Sequence, residues 1–159
     1  MKQINQDLLA QLTSKAKASP RLRMNHNFHY DAEDTLQRML NAMEPGTYVR
    51  PHKHENPDKR EVFMALRGRL CIIEFNETGE VLQHTILDAT EGNYGVEIAE
   101  RTFHSIISLQ EGSVAYEVKD GPYHPIDDKN FAAWAPAEGE PQAKAYLEQL
   151  IKKLNLRVG

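Results

Sequence analysis

His52-Lys53-His54 places two imidazoles at i and i+2, the spacing that points both side chains to one side of a β-strand. Glu61 follows after six intervening residues, and His104 comes much later, after Ala99-Glu100-Arg101-Thr102-Phe103. Three imidazoles and one carboxylate form a mixed nitrogen and oxygen donor set suited to one divalent ion, Zn, Fe, Mn, Ni or Cu. A metal that prefers five or six ligands keeps open positions in such a set, and open positions permit catalysis. The competing reading makes His52, His54 and Glu61 the polar residues of a solvated hairpin, and His104 a hydrogen-bonded core histidine.

Chemistry at such a centre also needs a proton carrier, and the candidates are His29, Tyr48 and Glu117. His29 shares a strand face with Asn27, so both could line a pocket. His84 lies mid-strand and reads as structural or exposed, and His124 as a loop residue. Arg50, Lys53, Lys59, Arg60, Arg67, Arg69 and Arg101 crowd the motif region, where they could attract an anionic ligand or simply form a solvated rim. Trp134 and Phe131 could stack a sugar or base, though covering the outside of the fold suits them better. No nucleophile–base pair, phosphate loop or Cys-x-x-Cys appears in the sequence.

The positioning elements can be read from periodicity. Asn5 caps a first helix that Ser19-Pro20 ends, with Leu8, Leu9 and Leu12 on its apolar side. Residues 22–30 alternate as a strand with one polar face, Asp31 to Thr35 is a turn, and 37–43 reads as a strand cut by Pro45-Gly46. Further strands are expected at 47–52, 60–67, 69–75, 81–87, 94–98, 103–109 and 113–119, separated by glycine turns. That pattern predicts a mainly β protein, an antiparallel barrel or sandwich. The expected division is a helix over 1–19, a barrel over 20–120, an irregular segment over 121–140 and a helix over 141–155. Tyr146, Leu147, Leu150, Ile151 and Leu154 give that last helix its stripe. Val62 to Leu66 and Leu70 to Ile73 are apolar on both faces. Their outside must be covered, by the terminal helices or by a second subunit, and a homodimer is expected.

With 159 residues, 40% hydrophobic and 26% charged, the chain suits one domain with a core of its own. Nineteen basic against 23 acidic residues give −4, which argues against nucleic-acid binding by bulk charge. The single cysteine, Cys71, forms no intrachain disulfide and reads as a buried, inert thiol. The N-terminus carries no secretory pattern and no apolar run spans a bilayer, so no membrane partner and a cytoplasmic location are expected.

Gly46, His52, His54, Glu61 and Gly68 match the residue types of the first cupin motif, with a longer loop before the glutamate. The second motif keeps His104, while Ala99, Arg101 and Ser108 stand at its proline, second glycine and asparagine positions. More narrowly, Pro45-Gly46, Tyr48 to His52, Leu66 to Arg69, Gly121-Pro122-Tyr123 and Lys129 to Pro136 resemble the WbuC-type cupin-fold metalloproteins. The resemblance implies a jelly-roll barrel with terminal helices and His52, His54, Glu61 and His104 as ligands. Members often accompany bacterial surface-polysaccharide genes. It therefore implies a sugar or sugar-nucleotide ligand, handled by an isomerase-like, epimerase-like or dioxygenase-like enzyme, or by a non-catalytic binding or sensing module.

Overall fold

The computed structural model describes residues 1–124 and 129–159. Part of the 121–140 segment expected to be irregular, including Pro125, lies outside the described residues.

Helix α1 spans Gln6–Ala18, and the Asn5 side chain accepts from the Leu8 N–H at 3.0 Å, satisfying one of the unpaired first-turn donors. Leu9, Leu12 and Ala16 recur on one face and are buried. Strands follow as β1 (Arg23–Asn27), β2 (Leu36–Met43), β3 (His52–Lys53), β4 (Glu61–Arg67), β5 (Arg69–Phe75) and β6 (Val81–Asp88). After them come β7 (Gly95–Ile98), β8 (Phe103–Ser108), β9 (Ser113–Asp120), β10 (Asn130–Phe131) and helix α2 (Pro141–Lys153). Proline suits the first turn of α2, because its missing N–H would have had no partner there.

Two five-stranded antiparallel sheets face each other, ordered β1-β2-β9-β4-β7 and β10-β3-β8-β5-β6. This is the jelly-roll architecture expected from the sequence. Between the sheets lies an apolar cluster that includes Phe63, Ala65, Leu70, Ile72, Leu87, Ile98 and Ile106. On the outside, Ala143, Leu147 and Leu150 of α2 cover Cys71, Ile73, Phe75 and Ile107. Helix α1 covers Leu40, Ala42 and Val114 in the same way. Burying each such leucine contributes about 1.5–3 kcal/mol, so the helices explain why β5 and β8 are apolar on both faces. The outward Met64 and Leu66 of β4 remain 38% and 39% exposed. No helix among the described residues is long and apolar enough to cross a membrane.

Two expectations need correction. The strand expected over 47–52 shrinks to His52–Lys53, since Pro51 has no N–H to give a ladder. The strand expected over 22–30 is limited to Arg23–Asn27, and Leu22 enters it with a φ of 55°. Within the segment expected to be irregular, β10 adds a short strand against β3.

Candidate metal centre

Strand pairing assembles the four candidate ligands. His52 on β3 stands directly opposite His104 on β8, and Glu61 opens β4 on the facing sheet. His54 follows β3, and its carbonyl accepts the Arg101 N–H at 3.0 Å, which joins the loops carrying the two motifs. Arg101 has a φ of 62°, the backbone region for which the cupin motif keeps a glycine. Its guanidinium is held by Asp58 at 2.7 Å.

The ligand atoms of His52, His54, Glu61 and His104 all lie within 4.8 Å of one another, and all four residues are buried. Glu61 Oε1 is 3.1 Å from His54 Nε2, and Glu61 Oε2 is 2.7 Å from His104 Nε2. Yet Glu61 Oε2 and His104 Nε2 make no well-aligned hydrogen bond to a described residue. Buried polar atoms without such a bond mark the place of a missing partner. His52 Nδ1 lies 2.9 Å from the Arg50 carbonyl, and His104 Nδ1 lies 2.9 Å from that of Thr102. A carbonyl can only accept, so both protons sit on Nδ1 and each Nε2 lone pair is left for a ligand bond.

Electrostatics point the same way. Burial holds the His52 imidazole well below its ordinary pKa, helped by Lys129 and by His104, so it is neutral. Burial pushes the Glu61 carboxyl up, but His104 and His54 in their imidazolium form pull harder and leave it well below the usual range, a role that passes to a bound cation when the imidazoles are neutral. A neutral imidazole and an ionised carboxylate are the forms that bind a metal. The donor set and its geometry fit a divalent ion.

The cluster opens into a cavity of about 390 Å³. All four inward residues of β2 line it (Gln37, Met39, Asn41 and Met43), as do Arg23, Asn25 and Asn27 of β1 and Glu117 and Lys119 of β9. Two of the three proposed proton carriers, His29 and Glu117, are here. Asn41 Nδ2 donates to Glu117 Oε2. Burial, then the neighbouring Glu61, pushes the Glu117 carboxyl up to about 7, against the pull of Lys119 and Lys129. His29 Nδ1 lies 3.2 Å from both the N–H and the carbonyl of Arg38 across the strand end.

Tyr48 is elsewhere. Its ring packs in the outer cluster beneath α2, and its hydroxyl donates to the Pro136 carbonyl at 2.9 Å. The crowd of basic residues does not line the cavity either. Lys53 pairs with Glu55 and Glu77, Arg60 with Asp120, and Arg69 with Asp88. Arg67 donates to the Gln6 side chain, Arg50 to the Ala132 carbonyl, and Lys59 to the Pro122 carbonyl. The cations that do line it are Arg21, Arg23, Lys119 and Lys129. Sequence reasoning missed Arg23 and Lys119 because inward polar residues on a strand look the same as outward ones, and Arg21 and Lys129 because they lie outside the strands, where periodicity gives no direction. Trp134 packs on Phe75 and Phe103 on the outer face, His84 is exposed, and His124 lies 4.0 Å from Glu33.

Residues 4–87 match a family model described as a domain of unknown function, DUF6016. The chain belongs to that family. The stretch that DUF6016 matches holds His52, His54 and Glu61, and ends before His104. No curated protein matches the chain. Among solved structures, protein SO0799 from Shewanella oneidensis is similar with a TM-score of 0.57 at 13% identity, over 93% of this chain and 98% of that one. The capsular polysaccharide assembling protein CapF from Staphylococcus aureus gives 0.56 at 19% identity, over 67% of this chain and only 28% of CapF. Oxalate oxidase bound to its substrate analogue glycolate gives 0.53 at 15% identity, over 89% and 69% of the two chains. At these identities the likeness establishes the cupin fold for this DUF6016 chain, and its chemistry has to come from its own residues.

Proposed function

We propose that this chain is a divalent-metal cupin acting on a small polar or anionic molecule, a sugar or sugar derivative, in an isomerase-like or epimerase-like reaction. The supporting observation is the shared cavity: the buried His52, His54, Glu61 and His104 cluster opens onto the carboxyl of Glu117, whose pKa is about 7. His52 Nε2, His54, Glu61 and His104 Nε2 would hold the ion. The bound ion would polarise a carbonyl or hydroxyl of the ligand as a Lewis acid. Glu117 is suited to take a proton from the ligand and return it at another position or face, because a carboxyl with a pKa near 7 populates both forms. Asn41 orients that carboxyl, and Asn25 and Asn27 offer amide groups to ligand hydroxyls, while the Gln37 amide nitrogen is held by the Ala32 and Asp34 carbonyls. The sugar class draws support from the WbuC-type resemblance and from the structural likeness to CapF, a capsular polysaccharide assembling protein.

The test is to incubate metal-loaded protein with sugar phosphates and sugar nucleotides in D2O and follow deuterium incorporation by NMR. Exchange lost in Glu117→Gln and His52→Ala supports the reading. Ligand binding without exchange would make the chain a metal-anchored binding or sensing module, and oxygen uptake would make it dioxygenase-like. A homodimer remains part of the proposal, with the exposed Met64 and Leu66 as its candidate face. A monomer mass by light scattering would remove it.

A further inference from the structure

The cavity is a slot with chemically different ends. In the register of the first sheet, Glu61 pairs with Lys119 and Lys119 with Gln37, which puts the metal-ligand cluster at the Gln37 end of β2. At the other end, Met43 pairs with Arg23. Gln37 to Met43 is six residues, roughly 20 Å at strand rise. Asn41, Asn25 and Asn27 stand between the ends, with Asn25 Nδ2 donating to Asn27 Oδ1 at 2.7 Å.

Arg21 and Arg23 line the far end. Both are paired to a single carboxylate: Arg21 Nε and Nη2 reach Glu138 at 2.7 and 2.8 Å, and Arg23 Nη2 reaches it at 2.6 Å. Arg23 Nη1 also donates to Thr47 Oγ1 and the Tyr48 carbonyl, which fixes the guanidinium in place. Two cations on one anion leave a net positive charge. By the donor inventory of guanidinium, five of the ten N–H groups remain unused among the described residues. Arg23 has a side chain only 16% exposed, whereas Arg21 is at the rim at 61%. A fixed, partly buried pair of guanidiniums with unused donors and an unbalanced charge is the arrangement that captures an oxyanion with several oxygens.

We propose that Arg21 and Arg23 form a phosphate subsite, and that the slot takes an elongated phosphorylated sugar whose reacting end lies at the His52–Glu61–His104 cluster. The second half rests on the proposed function; the first half stands without it. The phosphate could be a monoester on the sugar or the diphosphate of a nucleotide sugar.

Calorimetry tests both halves, with wild type and Arg21→Ala metal-loaded and His52→Ala as the variant that lacks the ion. Inorganic phosphate is titrated into the wild type, Arg21→Ala and His52→Ala, with circular dichroism confirming that each variant is folded. The expected result is equal binding by wild type and His52→Ala and about tenfold weaker binding by Arg21→Ala. No binding by the wild type, or binding unchanged in Arg21→Ala, overturns the subsite. Loss in His52→Ala alone overturns it too, because the phosphate would then sit on the metal. A hexose 1-phosphate and a UDP-hexose are titrated in parallel. At least one should bind about tenfold tighter than inorganic phosphate, with the gain lost in His52→Ala; which one gains identifies the source of the phosphate. If neither gains, the elongated-ligand half fails while the subsite stands or falls on the first titration.

Discussion

His52 stands directly across the ladder from His104, with ring centroids 4.5 Å apart, although 51 residues separate them in the chain. That one cross-strand pair closes the centre. His54 is carried by the same strand end and Glu61 by the facing sheet, so folding of the barrel and assembly of the cluster are one event.

Glu117 should make the stability of metal-free protein depend on pH in a defined direction. Its carboxyl is raised from 4.5 to about 7, so the folded state holds a proton that the unfolded state releases in that interval. Stability from this group is therefore present below about pH 4.5 and lost as pH rises through 7. Glu117→Gln removes the penalty. The variant should match the wild type near pH 4.5 and exceed it at pH 8 by on the order of 1–3 kcal/mol in urea unfolding. An equal difference at both values would contradict the assignment.

Tyr48→Phe should leave metal content and any turnover unchanged and lower stability by about 1 kcal/mol, the typical contribution of one buried hydrogen bond. The bond lost is the one to the Pro136 carbonyl. A large loss of activity with unchanged stability would return Tyr48 to the list of proton carriers.

Part of this was legible in the sequence. The spacing of His52 and His54 marks candidate ligands because a strand turns i and i+2 to one side, and the doubly apolar β5 calls for a cover, by a terminal helix or a second subunit, which α2 supplies on its outer face. What period-two alternation cannot give is which face is inside. The polar face of Arg23, Asn25 and Asn27 lines the open cavity while Asn25 and Asn27 stay exposed; the sequence reading places only Asn27 and His29 there, and the ambiguity hides Arg23, Asn41 and Lys119. Tyr48 was misplaced for another reason: residues 48–51 form no strand, so alternation carries no information there.

Gly68, the motif glycine after β4, should tolerate no side chain. Its φ is 69°, and a Cβ there would stand 2.4 Å from Ser113 Oγ and 2.9 Å from the Ser113 backbone. Ser113 is fully buried, and its hydroxyl donates to the Gln110 carbonyl at 2.7 Å while accepting the Arg69 N–H at 3.1 Å, so it cannot retreat cheaply. Gly68→Ala should cost about 2 kcal/mol or more in denaturant unfolding. A change within about 0.5 kcal/mol would show that the turn relaxes.

The central claim is tested most directly by elemental analysis of tag-free protein purified anaerobically, alongside His52→Ala with its fold confirmed by circular dichroism. About one divalent metal per chain is expected in the wild type and a small fraction of that in the variant. No metal in either protein, with no uptake by the wild type on reconstitution with Zn, Fe, Mn or Ni, would contradict it.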